Sequence, residues 1–260
     1  MDLLEFEDIT LTFKGLAALV GVSFQAGEGR ITSLIGPNGA GKTSILNCIS
    51  GRYRPDSGSI RIDGREILGM AAHSRTELGL SRTFQNIALF RGLSVLDNLM
   101  VGRHRLMGYG LLSSLLYWGP ARKAEDLHRR RVEEVIDFLG LSPHRNKVAG
   151  RLPYGVQKRV ELGRALAAEP RLILLDEPMA GMNLEETEDM ARYILDINEE
   201  WGASVLLVEH DMGVVMDISD HVVVLDFGSV LAAGTPDEVR ADPEVVRAYL
   251  GDGESNFAGR

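Results

Sequence analysis

Eight residues, Gly36-Pro37-Asn38-Gly39-Ala40-Gly41-Lys42-Thr43, fit G-x-x-x-x-G-K-[ST] at every fixed position. Their flanks fit as well. Residues 31–35 are short, apolar and partly β-branched, the pattern of a buried strand. Residues 44–49 read as a helix start. Gly36, Gly39 and Gly41 permit backbone angles that a Cβ forbids. The loop can then turn its N–H groups inward as an anion nest at a helix N-terminus. Lys42 reaches the β- and γ-phosphates, and the Thr43 hydroxyl can ligate Mg²⁺. A chance glycine turn has no reason to match every fixed position in this context. The stretch from Gly36 through Pro37, Asn38, Gly39, Ala40, Gly41, Lys42 and Thr43 to Ser44 implies a nucleoside triphosphate site.

The bulk numbers narrow the setting. The 260 residues suit one large α/β domain or a domain with an inserted sub-domain. A net charge of −9 argues against general affinity for nucleic acid. The single cysteine, Cys48, cannot form an internal disulfide. It fits a reducing compartment and reads as a small core residue. Residues 1–5 are acidic and lack a basic-then-apolar signal pattern. No apolar run approaches the ~20 residues that span a bilayer; the nearest is 111–118. Work at a membrane is expected from the water side.

Along the chain, residues 4–13 alternate as an edge strand with Ile9, Leu11 and Phe13 on one face. Residues 19–25, 31–35 and 59–64 are further strands, the last closing on an Asp-Gly turn. From about 87 to 168 the character is mostly helical. Val132, Val135, Ile136 and Leu139 have helical spacing, Gly140 is placed to end that helix, and 157–168 form another before Pro170. The stretch 103–123 reads as a loop and short helix packed on this part; a contact surface for a membrane partner is the sharper alternative. Strands then alternate with helices: 172–175, helix 185–200, strand 204–208, helix 212–217, strand 222–225. That order predicts a parallel sheet. Residues 236–250 look helical and 251–260 frayed.

Three further places bear on the nucleotide. The apolar run 172–175 ends in Asp176-Glu177, which delivers carboxylates to the edge of a parallel sheet, where ligands bind. Asp176 suits the Mg²⁺ shell, and Glu177 can polarise the attacking water. His210 ends the next strand at the same edge, within reach of a γ-phosphate. Residues 152–159 (LPYGVQKR) form a Gly-bearing turn that opens a helix, a second surface able to face an anion. Gln85 stands where the sheet hands over to the helical insert and by composition alone means little.

With these in place the chain, from about 4 to 250, resembles the ATP-binding subunits of ABC transporters. The loop 36–43, Gln85, the segment 152–157, Asp176-Glu177, Ala180-Gly181-Met182-Asn183 and His210 come in that family's order. LPYG, DEPMAGMN, the insert near 103–123 and the ending DPEVVRAYLG look like the longer ATPase subunit of branched-chain amino acid importers. The resemblance implies a P-loop ATPase core with a mostly parallel sheet, an N-terminal antiparallel β subdomain and an inserted helical subdomain. Core segments would be 4–86 and 169–235, the helical subdomain about 87–168, a C-terminal helical segment 236–250 and a flexible tail 251–260. It implies ATP and Mg²⁺ as cofactors, with Phe13 stacked on adenine. Thr43 and Gln85 would see Mg²⁺, Glu177 would be the general base and His210 would hold the γ-phosphate. Tyr154 and Gly155 would face the nucleotide of a second ATP-binding subunit in a head-to-tail dimer, homomeric or heteromeric. Residues after Gln85 would receive integral-membrane permease subunits at the cytoplasmic face of the cell membrane. A periplasmic or extracellular solute-binding protein would take part indirectly. Two departures stand out: the signature serine is Pro153, which has neither hydroxyl nor N–H, and the adenine-stacking aromatic is Phe13 rather than tyrosine.

Rival classes fit less well. Urea or amide import and lipopolysaccharide export are the nearest alternatives, and the 103–123 insert argues against export. ABC ATPases without a permease usually carry two cassettes or a long coiled coil; this chain has one cassette and no heptad run. A guanine-reading Asn-Lys-x-Asp is missing, since Asn146-Lys147 is followed by Val148-Ala149.

Overall fold

The computed structural model describes residues 2–107 and 120–250. Two sheets organise them. The first is antiparallel and joins β1 (Asp2–Phe13), β2 (Leu16–Gly27), β4 (Ser57–Ile62) and β5 (Arg65–Glu66) in the order β2-β1-β4-β5. The second joins β3 (Ile31–Ile35), β6 (Leu80–Arg82), β7 (Leu172–Asp176), β8 (Ser204–Val208), β9 (His221–Asp226) and β10 (Ser229–Gly234) in the order β10-β9-β3-β8-β7-β6. Its pairs are parallel except β9 with β10. The described helices are α1 (Lys42–Ile49), α2 (Ala72–Arg75), α3 (Val95–Gly102), α4 (Pro120–Phe138), α5 (Tyr154–Leu166), α6 (Leu184–Glu199), α7 (Met212–Ile218), α8 (Pro236–Ala241) and α9 (Pro243–Leu250).

The mixed α/β class and the parallel sheet agree with the expectation from sequence. The strands at 31–35 and 204–208 have the expected bounds. The continuous apolar runs are explained by cover on both faces. In β7, Leu172 and Leu174 join the core beneath the antiparallel sheet and α1, whereas Ile173 and Leu175 join the core beneath α3–α6. In β8, Leu206 and Val208 pack with the first core and Val205 and Leu207 with the second. Each such side chain contributes about 1.5–3 kcal/mol on burial. A smaller core of Ile35, Met212, Val215, Val222, Val224, Val239 and Val245 packs α7–α9 behind β9. Cys48 is buried, and burial pushes its thiol up to about 11. Gly140 follows α4 at φ 62, and the Leu141 amide bonds back to the Ile136 carbonyl.

Several expectations are corrected or extended. β1 is an inner strand, paired with β2 on one side and β4 on the other. Alternation reports a half-buried strand but says nothing about its neighbours. Its burial phase also slips at Asp8 (φ 48), so Leu4 and Phe6 pack inward before the slip and Ile9 and Leu11 after it. Phe13, in phase with them, is 43% exposed at the strand end. The strands β6 and β10 are additions: β6 has three residues with one buried, and β10 is half-exposed and rich in small side chains. Finally, α5 begins at Tyr154 rather than 157, so the Gly155 turn is the helix's first turn. Pro153 precedes it at ψ 153 as the N-cap, where a missing N–H costs nothing. The expected apolar patch at 111–118 and the tail 251–260 lie outside the described residues, as do 108–119 of the 103–123 insert.

Candidate functional site

β3 feeds the glycine loop into α1. Gly36 (φ 146) has no room for a side chain, since a Cβ would lie 2.1 Å from the Leu225 carbonyl oxygen. The Gly228 amide donates to the Ala40 carbonyl at 3.1 Å, and the Val20 amide donates to the Gly228 carbonyl at 2.8 Å. The turn between β9 and β10 therefore seats the loop and clips β2 beside it. Gly41 is the N-cap of α1 at φ 106. No side chain caps this helix and no acidic residue stands in its first turn. Its free N–H groups are left facing the loop's concavity, the condition for holding an anion.

The Lys42 ammonium donates to the carbonyls of Gly36 at 2.6 Å and Pro37 at 3.0 Å. Two of its three N–H bonds thus brace the loop and the third remains for a ligand. Burial lowers its pKa, and Glu177 and Asp176 oppose that shift. A hollow of about 190 Å³ is lined by Ala18, Glu177 and the loop residues from Asn38 to Ser44. It thus brings together Asn38, Gly39, Ala40, Gly41, Lys42, Thr43, Ser44 and Glu177. Gly36 and Pro37 form the loop behind them.

Asp176 ends β7 at 3% exposure. Its Oδ2 accepts from Arg82 at 3.0 Å, while Oδ1 is buried and has no hydrogen-bond partner among the described residues. Burial raises its pKa, and the Arg82 guanidinium opposes this. Arg82 also donates to Asn47 and Ser50 of α1's C-terminal end, tying β6 to the loop's helix. Glu177 then breaks the strand in a left-handed conformation (φ 49), with its amide donating to the Val208 carbonyl at 2.9 Å. A non-glycine residue held there is strained by about 1–3 kcal/mol. Glu177 lines the hollow, and its Oε2 accepts at 2.8 Å from Nε2 of Gln85, which stands outside the lining.

His210 follows β8, whose Val208 is in register with Asp176. It thus reaches the expected sheet edge, but its side chain is 64% exposed and does not line the hollow. Phe13 lies outside the hollow too, at the end of the β1–β2 hairpin that supplies Ala18, edge-on to Tyr53 at 5.0 Å. Tyr154 and Gly155 form a separate group with the turn before α6. A Cβ on Gly155 would meet Glu186 at 2.2 Å, and Gly181 approaches the Tyr154 ring. The N-terminus of α5, like that of α1, has no side-chain cap and no acid in its first turn.

The structure adds residues that the sequence reading passed over: Arg82, Lys158, Glu161 and Glu209. Glu209 is buried and accepts from the amides of Met179 and His210 at 2.9 and 3.1 Å, so one carboxylate ties both strand ends. Burial raises its pKa. An acid directly after an apolar run and beside His210 was the available signal.

Among the described residues no cluster of three His, Cys, Asp or Glu side chains could hold a metal by itself. Mg²⁺ does not require one, because it is held by one or two protein ligands together with phosphate oxygens and water. The unpartnered Asp176 Oδ1 fits such an ion.

Comparison with known proteins agrees with this geometry. The ABC transporter family matches residues 19–180, and the branched-chain amino acid ATP-binding cassette transporter family matches 229–255. The high-affinity branched-chain amino acid transport ATP-binding protein BraF of Pseudomonas aeruginosa is 42% identical over 250 residues, 96% of this chain and 98% of that protein. LivG of Escherichia coli, of the same description, is 39% identical over the same shares. The ADP conformation of MJ1267, an ATP-binding cassette of an ABC transporter, superposes with a TM-score of 0.83 at 33% identity, covering 96% of this chain and 99% of that one. A dimeric structure of MJ0796, a bacterial ABC transporter cassette, gives 0.75 at 25% identity over 90% and 98%. With the glycine loop, the Asp176-Glu177 strand end and the sheet order in place, this chain belongs to the ATP-binding cassette family of ABC transporters.

Proposed function

We propose that this chain is the ATP-hydrolysing motor of an importer for branched-chain amino acids. The observation that carries the reading is the meeting of the Glu177 carboxylate with the Asn38–Ser44 loop in one hollow. The relatives named for branched-chain amino acid transport supply the solute class. Lys42 and the loop amides of Gly36 and of Asn38 to Ser44 hold the β- and γ-phosphates, with Pro37 shaping the turn. Thr43, Gln85 and Asp176 would hold Mg²⁺, which supplies charge neutralisation on the phosphates. Glu177 accepts the proton of the attacking water and Gln85 orients that carboxylate. His210 closes on the γ-phosphate when the site is assembled.

Phe13 stacks on adenine. The base adds about 1–3 kcal/mol on an aromatic face. Phe13→Ala is therefore expected to weaken ATP binding about tenfold, and Phe13→Tyr to leave it unchanged. Equal affinities in all three proteins, measured by fluorescence titration, would refute stacking.

The bare α5 N-terminus, with Tyr154 and Gly155, faces the nucleotide of a second ATP-binding subunit, homomeric or heteromeric, whose matching surface faces this chain's nucleotide. Pro153 leaves that contact to backbone amides. The segment 87–168 acts as a helical subdomain on a core of 4–86 and 169–235, with 236–250 as a C-terminal helical segment. A cavity of about 400 Å³ between the two, lined by Phe84, Phe90, Val101, Arg105 and Arg164, receives the permease at the cytoplasmic membrane face. Among the described residues no helix is long and apolar enough to cross a membrane. A solute-binding protein on the far side delivers the cargo.

The test is to purify the tagged chain gently from solubilised membranes and identify its companions by mass spectrometry. Two multi-span permeases and a second ATPase are expected, with turnover stimulated by a binding protein loaded with leucine, isoleucine or valine. Stimulation by urea or amides alone would overturn the solute class. Recovery with ribosomes or DNA-repair proteins would overturn the transport role.

A further inference from the structure

Two charged side chains of α5 point into the protein rather than to water. Lys158 is 3% exposed and Glu161 2%. The Lys158 ammonium donates to the main-chain carbonyl of Gln85 at 3.0 Å and reaches that of Glu177 at 3.4 Å. One turn further on, Glu161 Oε1 accepts from the amides of Phe84 at 3.4 Å and Ala88 at 3.1 Å. The segment 84–88 is thus hung from a single helix by its backbone, and the Glu177 turn is held by the same ammonium.

This arrangement is costly to build. Desolvating an ion costs several kcal/mol, and apolar residues of like volume commonly stabilise a fold as well or better. Folding alone therefore gives no reason for a lysine here. Its surroundings do give one. Lys158 lies in the field of Glu161, Glu209, Glu177 and Asp176. Its ammonium meets the main-chain carbonyls of both residues, Gln85 and Glu177, whose side chains pair with each other. Its own helix begins at Tyr154, whose ring lies 5.9 Å from the Lys158 nitrogen.

We propose that Lys158 is a positioning residue for ATP hydrolysis, fixing the carbonyls of Gln85 and Glu177 to the helix whose N-terminus meets the second subunit. The inference rests on the roles given above to Glu177 and Gln85. A helix turn is stiff, so a shift of the Tyr154–Gly155 end carries Lys158 with it. The alignment of the carboxylate and amide, paired at 2.8 Å, then follows the position of that end. One ATP site thereby senses the other through backbone carbonyls, a contiguous physical link of the kind that can carry coupling.

The experiment uses the full-length chain and measures ATP turnover and equilibrium ATP affinity separately. Lys158→Met is expected to lower kcat about 10²-fold, the scale of a misplaced catalytic group, with ATP affinity unchanged. Lys158→Arg keeps a cation and donors and is expected to recover most of the turnover. Normal kcat in Lys158→Met would overturn the proposal. So would a loss of kcat matched by an equal loss of ATP affinity, or failure of Lys158→Arg to outperform it. Should Lys158→Met not fold, Lys158→Gln, which keeps an N–H but not the charge, decides: slowed turnover at normal affinity supports the role, and wild-type turnover removes it. Glu177→Gln is run alongside. Full activity there would overturn the reading of Glu177 itself, whereas an inactive Glu177→Gln with an active Lys158→Met would overturn the positioning role alone.

Discussion

Glu177→Gln is expected to cut ATP turnover by about 10²–10⁴-fold, the usual worth of a general base. ATP should still bind. The substitution is nearly isosteric, and the oxygen of the new side-chain amide can accept from Gln85 as the carboxylate does at 2.8 Å. The main-chain bond to Val208 and the φ of 49 are properties of the backbone turn and remain. Only the proton acceptor is lost. Stalled before hydrolysis, the protein should accumulate as an ATP-bound dimer, visible by size-exclusion chromatography with light scattering. Near-normal single-turnover hydrolysis would remove Glu177 as base.

Lys42→Ala is expected to reduce ATP affinity by at least about a hundredfold, or ~2.7 kcal/mol at 1.36 kcal/mol per decade. Two losses add. The phosphates lose a cation in a partly buried site, where charge-assisted bonds are strong. The loop also loses its brace, because the carbonyls of Gly36 and Pro37 both accept from this ammonium. The Pro37 carbonyl keeps the Ala40 amide at 3.1 Å, but leaving the buried Gly36 acceptor without this donor costs about 1–3 kcal/mol. Isothermal titration with a non-hydrolysable ATP analogue checks it; wild-type affinity would sink the assignment of the loop.

What the sequence made legible is local. The glycine loop announces itself because its chemistry lies within eight consecutive residues between a strand and a helix. Asp176-Glu177 is visible because an apolar run covered on both faces must stop where the carboxylates begin. Neighbours in space are harder. β1 reads as an edge because its partner β4 lies far along the chain and nothing in residues 4–13 names it. Gly155 reads as a turn because glycine is a poor helix former, and the reason for it, the side chain of Glu186, belongs to another helix. Lys158 and Glu161 look like the solvated face of an amphipathic helix. The loop that buries them lies 73 residues upstream, at the Gln85 contact. Arg82 could not be paired with Asp176 before β6 and β7 were known to be adjacent.

The seat of the phosphate loop has a consequence for the chain's birth. Residues 36–43 leave the ribosome early, yet Gly36 packs on the Leu225 carbonyl and Ala40 is held by the amide of Gly228. Strand β3 itself lies between β8 and β9. At about 5–20 residues per second, translation needs on the order of ten seconds or more to supply these partners. Until then the nest has no floor and β3 has two open edges. A chain cut short anywhere between Thr43 and Gly228 therefore contains every letter of the motif and lacks the surface that shapes it.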